Sequence, residues 1–139
     1  MGDRAQVAIC GNLIEPCKVY LYTNWSGHEL YDMIARALRF RVNWNDAEYL
    51  ARVVFCEMIK GQTDLSAGFD FGIGVVRYGD LDFPVPVLST ADQRVTWEPD
   101  MRGRVGKEMS FEEFIAEYAP DGAAPNPRDK KGARQGGKP

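Results

Sequence analysis

Residues 21–60 read Leu-Tyr-Thr-Asn-Trp-Ser-Gly-His-Glu-Leu-Tyr-Asp-Met-Ile-Ala-Arg-Ala-Leu-Arg-Phe-Arg-Val-Asn-Trp-Asn-Asp-Ala-Glu-Tyr-Leu-Ala-Arg-Val-Val-Phe-Cys-Glu-Met-Ile-Lys. This stretch decides the fold. Ala47, Leu50, Ala51, Val54, Phe55, Met58 and Ile59 recur at helical spacing, and Val53 and Cys56 widen the stripe. A helix from about Asp46 to Lys60, apolar over most of its circumference, needs neighbours on several sides. Asn45 and Glu48 have the spacing of a capping box, and Gly61 suits the left-handed residue after a helix end. Glu48, Arg52, Glu57 and Lys60 mark its polar side.

Upstream, Ser26 and Glu29 form a second such box, opening a helix from Gly27 to Arg41. Its apolar stripe is Leu30, Met33, Ile34, Ala37 and Leu38, and its basic end suits the helix dipole. Before it, Lys18–Trp25 alternates as a strand, with Val19, Leu21 and Thr23 on one face and Tyr20, Tyr22 and Asn24 on the other. Ala5–Cys10 reads as its hairpin partner across a long loop.

After Gly61 a polar link leads to a strand over Phe69–Val76. Val85–Leu88 carries Pro84 and Pro86 and is expected at a sheet edge. Arg94–Glu98 turns Val95 and Trp97 inward after a tight turn at Asp92-Gln93. Ser110 and Glu113 form a third capping box, opening a short helix to Tyr118. From Asp121 onward no large apolar residue occurs, so the tail cannot offset its ordering entropy. The chain therefore reads as an α+β protein: a single domain over 1–119, with a mainly antiparallel sheet packed against two central helices, a short C-terminal helix, and a disordered basic tail at 120–139.

The 139 residues are 45% hydrophobic and 12% aromatic, enough for one sizeable core. No apolar run is long enough to span a membrane, and Met1-Gly2-Asp3-Arg4 does not begin a signal segment. Cys10, Cys17 and Cys56 form no C-x-x-C pair, and an odd count favours reduced thiols and a cytoplasmic setting. The net charge of −3 conceals an asymmetry. Residues 1–119 hold 12 Lys and Arg against 18 Asp and Glu, whereas residues 120–139 hold 5 against 2. An acidic body argues against nucleic-acid binding by the folded part and suits a partner with a basic surface.

Candidate sites are few. Trp25, Ser26, His28 and Glu29 join a strand end to a helix start, where free amides can hold an anion and the single histidine can do acid–base work. Capping by Ser26 and Glu29 is the simpler account of two of these residues. Tyr20, Tyr22, Trp44 and Tyr49, with Asp80 and Asp82, make a candidate interaction surface. Gly72-Ile73-Gly74 lies within a strand with no helix after it, so it is no dinucleotide fingerprint. Asp64, Asp70, Asp80 and Asp82 fit no calcium-loop spacing, and neither a metal nor a cofactor is expected. A Cys–His nucleophilic pair would need Cys10, Cys17 or Cys56 beside His28, and Cys17, near the hairpin loop, is the one placed to react.

Residues 21–30, Leu-Tyr-Thr-Asn-Trp-Ser-Gly-His-Glu-Leu, and 44–52, Trp-Asn-Asp-Ala-Glu-Tyr-Leu-Ala-Arg, resemble a group of small phage, prophage and bacterial proteins with no assigned activity. The resemblance covers about residues 5–100 and carries over no catalytic residue. It implies a mobile-element protein that binds and blocks a host machine, as anti-CRISPR proteins do. The leading expectation is thus a non-enzymatic binding protein with a protein partner. Its alternatives are a small ligand-binding domain or enzyme with a pocket at Trp25–Glu29, and a homo-oligomeric phage assembly protein.

Overall fold

A computed structural model describes residues 3–12, 17–62 and 70–120. The expected basic tail, most of the polar link after Gly61, and Asp64 lie outside the described residues.

Strands β1 (Ala5–Cys10) and β2 (Val19–Thr23) form the expected antiparallel hairpin, with Val7 opposite Leu21. Helices α1 (Gly27–Leu38) and α2 (Ala47–Met58) follow, then β3 (Phe71–Gly74), β4 (Val85–Ser89), β5 (Arg94–Glu98), β6 (Met109–Ser110) and α3 (Phe111–Tyr118). The strands make one six-stranded sheet in the order β3-β2-β1-β4-β5-β6. Its pairings are antiparallel except between β1 and β4, which run parallel with Ala8 opposite Val87. The chain is α+β, as its element order implied. The two-residue β6 was not anticipated; it is too short to show a period.

Alternation along the strands sorts side chains into two cores. Ala5, Val7, Ile9, Leu21, Leu88 and Val95 face the helices and pack with Leu30, Ile34, Leu38, Leu50, Val54, Phe111 and Phe114. Each such Leu or Phe, fully buried, stabilises the fold by roughly 1.5–3 kcal/mol. Helix α1 packs against both α2 and α3, so it is the middle of the helical layer, a place the apolar breadth of α2 had suggested for α2. On the other face Ala8, Cys10, Tyr20, Val85 and Val87 are closed over by Leu81, with Tyr78 alongside. Gln6 is fully buried there, yet its amide donates to the Val76 carbonyl and accepts from the Tyr78 amide.

Strand β4 is not at an edge. It lies between β1 and β5 and all five residues are buried. The prolines are tolerated because the parallel register with β1 starts at Val87, just past Pro86. The missing donor therefore falls outside that ladder.

Of the three capping boxes, only Ser110–Glu113 forms, with both reciprocal hydrogen bonds. At α2 the cap is Asp46, which accepts from the Tyr49 amide, rather than Asn45. At α1 the Ser26 side chain makes no cap bond; the His28 amide donates instead to the Asp3 carboxylate, at 2.8 Å. Helix α1 stops at Leu38, short of Arg41, which has a positive φ of 54°. Gly61, at φ 82°, occupies the left-handed position expected of it. Among the described residues no helix is long and apolar enough to cross a membrane.

Candidate functional site

The loop from Trp25 to Glu29 is built from the strand end outward. Asp70, just before β3, accepts four hydrogen bonds: from the Thr23 hydroxyl at 2.6 Å, the Ser26 hydroxyl at 2.7 Å, and the Trp25 and Asn24 amides at 2.8 and 3.0 Å. Burial alone would raise the Asp70 pKa, but together these four donors outweigh it and hold the carboxyl below its ordinary value. The amides that made this loop a candidate anion site are thus already occupied by a carboxylate of the chain itself. Trp25 is exposed and Ser26 half-buried.

His28 is 61% exposed on its side chain, with Nδ1 2.8 Å from Asp3 Oδ2 and Nε2 3.2 Å from Glu29 Oε2. The hydrogen bond to Asp3 foremost raises its pKa; desolvation, next in size, opposes it, and the charges of Asp3 and Glu29 add to the rise. Two carboxylates on two ring nitrogens favour the imidazolium. A general base needs a ring lone pair free for substrate, and here both nitrogens are engaged. None of Cys10, Cys17 and Cys56 is among the partners of His28, and all are free thiols. Cys10 is buried, and desolvation foremost raises its pKa, which suppresses the thiolate.

The remaining predicted residues fall into separate groups: Tyr22, Asp80 and Asp82 are linked through Tyr78 and Arg4, whereas Trp44 and Tyr49 belong to the helical layer. Tyr20 is buried on the outer sheet face, its hydroxyl 3.4 Å from Glu98, which Lys18 and Arg77 also approach. Tyr22 packs on Tyr78 at 5.6 Å between ring centres and covers Gly72, where a Cβ would run into its ring. The bare glycine face at Gly72 is therefore filled from within. Trp44 stands edge-on to Phe111 and donates to the Leu38 carbonyl. Tyr49 is exposed on α2. Asp80 pairs with Arg4, and Asp82 accepts from the Arg4 amide. Among the described residues no three His, Cys, Asp or Glu gather as a metal site.

Two clefts meet where β1 ends and α2 begins. The one of about 280 Å³ is lined by Cys10, Cys17, Lys18 and Glu48, and its neighbour by Asn45, Asp46, Thr90 and Gln93. Thr90 and Ala91 are tied to the Cys10 and Gly11 carbonyls, which fixes the rim. A third cleft, walled by Val19, Leu21, Ala51, Phe55, Cys56 and Ile73, runs between α2 and β3.

One assembly was missed by sequence reasoning. Tyr118 closes α3 against α1, with ring centres 4.6 Å from Phe114 and 5.3 Å from Tyr31. Burial first, then the charges of Glu117 and Asp32, raise its pKa. Asp32 and Glu117 are both exposed, and among the described residues neither has a cationic partner. Glu112 and Glu113 extend the acidic side of α3, though Glu112 is matched by Arg41 at 2.7 Å and Glu113 caps the helix. The signal was present as the polar positions between two apolar stripes, but only the packing of α3 on α1 brings Asp32 within electrostatic reach of Tyr118, beside Glu117.

The chain matches no protein-family model, and no curated protein or solved structure is significantly similar to it.

Proposed function

We propose that the protein is a non-enzymatic binding protein whose acidic seam between α1 and α3 engages a protein partner with a basic surface. The observation that carries this reading is that Asp32 of α1 and Glu117 of α3, both exposed and without a cationic partner among the described residues, bring their charges to bear on the half-buried Tyr118 where α3 packs on α1. An aromatic with a polar tip, bordered by charge that has no internal partner, has the composition of a recognition surface. An acidic surface attracts a cationic partner and steers its association. The acidic balance of residues 1–119 works in the same direction.

The setting we propose is a bacterial cytoplasm and a phage or other mobile element, with the partner a host machine that the protein blocks. The resemblance of residues 21–30 and 44–52 to small phage and prophage proteins supports that setting. The competing pocket at Trp25–Glu29 is less favoured, because Asp70 and Asp3 already engage its donors.

The test is affinity capture from a bacterial lysate with the tagged chain at low and high salt, beside an Asp32→Lys/Glu117→Lys variant. The reading expects a partner recovered by the wild type, weakened by salt and lost with the variant. A partner retained equally by the variant removes the seam from the account.

A further inference from the structure

Helix α2 ends the helical layer one strand short of the end of the sheet. It packs on β1 and β2, while β3 carries the sheet on beyond it. Ile73 of β3 stands opposite Leu21 of β2 on the helix-facing side, yet it is 62% exposed, because α2 lies beside it rather than over it. The step between helix and strand is a cleft of about 280 Å³. Val19, Leu21 and Ile73 wall it from the sheet, and Ala51, Phe55 and Cys56 wall it from the helix.

Two charged residues complete the lining, Glu48 and Arg52. They sit one turn apart on α2 with the carboxylate N-terminal, the arrangement in which a helix usually forms an ion pair. No ion pair joins them here. Both are exposed, and among the described residues neither side chain has another partner. Lys18, which shares the adjoining cleft with Glu48, pairs with Glu98 at 3.8 Å. A carboxylate and a guanidinium thus stand unengaged beside an otherwise apolar cleft.

We propose that this cleft binds a free α-amino acid with an aliphatic side chain of leucine size. Each part of the lining selects a part of the ligand. Its ammonium pairs with Glu48, its carboxylate takes the planar fork of Arg52, and its side chain enters between Leu21, Phe55 and Ile73. Other small ligands leave a conflict. A fatty acid answers Arg52 but sets its carboxylate beside Glu48, and an alkylamine does the reverse. An uncharged apolar molecule leaves both charges unmatched. The volume suits a ligand of this size rather than a long lipid, since it falls just below the roughly 300–1,000 Å³ of drug-sized sites. The cleft lies on the α2 flank of α1, away from the acidic seam between α1 and α3, and the two sites are independent.

Calorimetric titration of L-leucine into the full chain tests this, beside three analogues that require no change in the protein. N-acetyl-L-leucine lacks the ammonium, L-leucinamide lacks the carboxylate, and glycine lacks the side chain. Leucine is expected to bind with a Kd of about 1 mM or tighter. Each analogue should bind at least about tenfold more weakly. Glu48→Gln and Arg52→Gln, both at exposed positions, should weaken leucine by a similar factor with unchanged circular dichroism. No leucine binding at about ten times that concentration overturns the proposal. So does any analogue that binds as tightly as leucine, or a pair of folded charge variants that keep full affinity.

Discussion

Glu57 of α2 is buried to 1% of its side chain, and its Oε2 lies 3.0 Å from Arg36 Nε of α1. Lys60 closes on the same oxygen at 2.8 Å. This ion triad ties the two central helices where a leucine would otherwise sit. Taking Arg36 away removes one cation from a buried carboxylate, with Lys60 still beside it. Arg36→Ala is expected to cost about 2–3 kcal/mol in urea unfolding, somewhat below the loss of a wholly isolated pair because Lys60 remains. Glu57→Met, close in volume, should cost less than Arg36→Ala. The reverse order would mean that the triad is not holding α1 to α2.

Asp70 gives an acid-side prediction. Its folded pKa is below its ordinary value, so its contribution to stability is complete above about pH 4. That contribution is lost as pH falls through the folded value. Asp70→Asn cannot accept all four bonds with one carbonyl oxygen, and a loss of about 2 kcal/mol at neutral pH is expected. Unfolding free energy measured against pH should then fall less steeply below pH 4 in the variant than in the wild type.

His28 acts in the opposite sense. A raised pKa means that the stabilisation is present below the ordinary histidine value, near pH 6.5, and disappears as pH rises through the folded one. An imidazole titration followed by NMR should have its midpoint above the ordinary value and move back toward it in Asp3→Asn. A midpoint at or below the ordinary value would show that the two carboxylates do not hold the ring.

The glycines of β3 separate two roles. A Cβ at Gly72 collides with the Tyr22 ring, while one at Gly74 meets only carbonyl oxygens at van der Waals distance, 3.8 Å or more away. Gly72→Ala should lower stability by about 1–3 kcal/mol through overpacking. Gly74→Ala should be neutral or slightly stabilising, by up to about 1 kcal/mol, because the unfolded chain loses freedom. Thermal unfolding of the two variants side by side is the check.

Much of this architecture was legible in local spacing. The period of Ala5–Cys10, the inward Val95 and Trp97, the Ser110–Glu113 box and Gly61 are all decided within a few residues of themselves. What was not legible depends on partners far along the chain. Ser26 turns from its own helix to Asp70, and Asp3 supplies the cap it leaves open. Glu57 looked like a solvent-facing residue until Arg36 was brought against it. Pro86 argued for an edge because the sequence does not say where the β1 register begins. The same holds for the proposed site: His28 was the conspicuous residue, whereas Asp32 and Glu117, ordinary polar positions on separate helices, come to act on one tyrosine only through the packing of α3 on α1.

The central claim is that the seam at Asp32, Tyr118 and Glu117 is where a basic partner binds. The most direct measurement is calorimetric titration of the captured partner into the full chain, the Asp32→Lys/Glu117→Lys variant and a chain ending at Pro120. The account predicts at least a tenfold loss of affinity in the charge-reversed variant, about 1.4 kcal/mol or more, with the truncated chain binding as the wild type does. Equal affinity in the charge-reversed variant, with its fold intact, would contradict it.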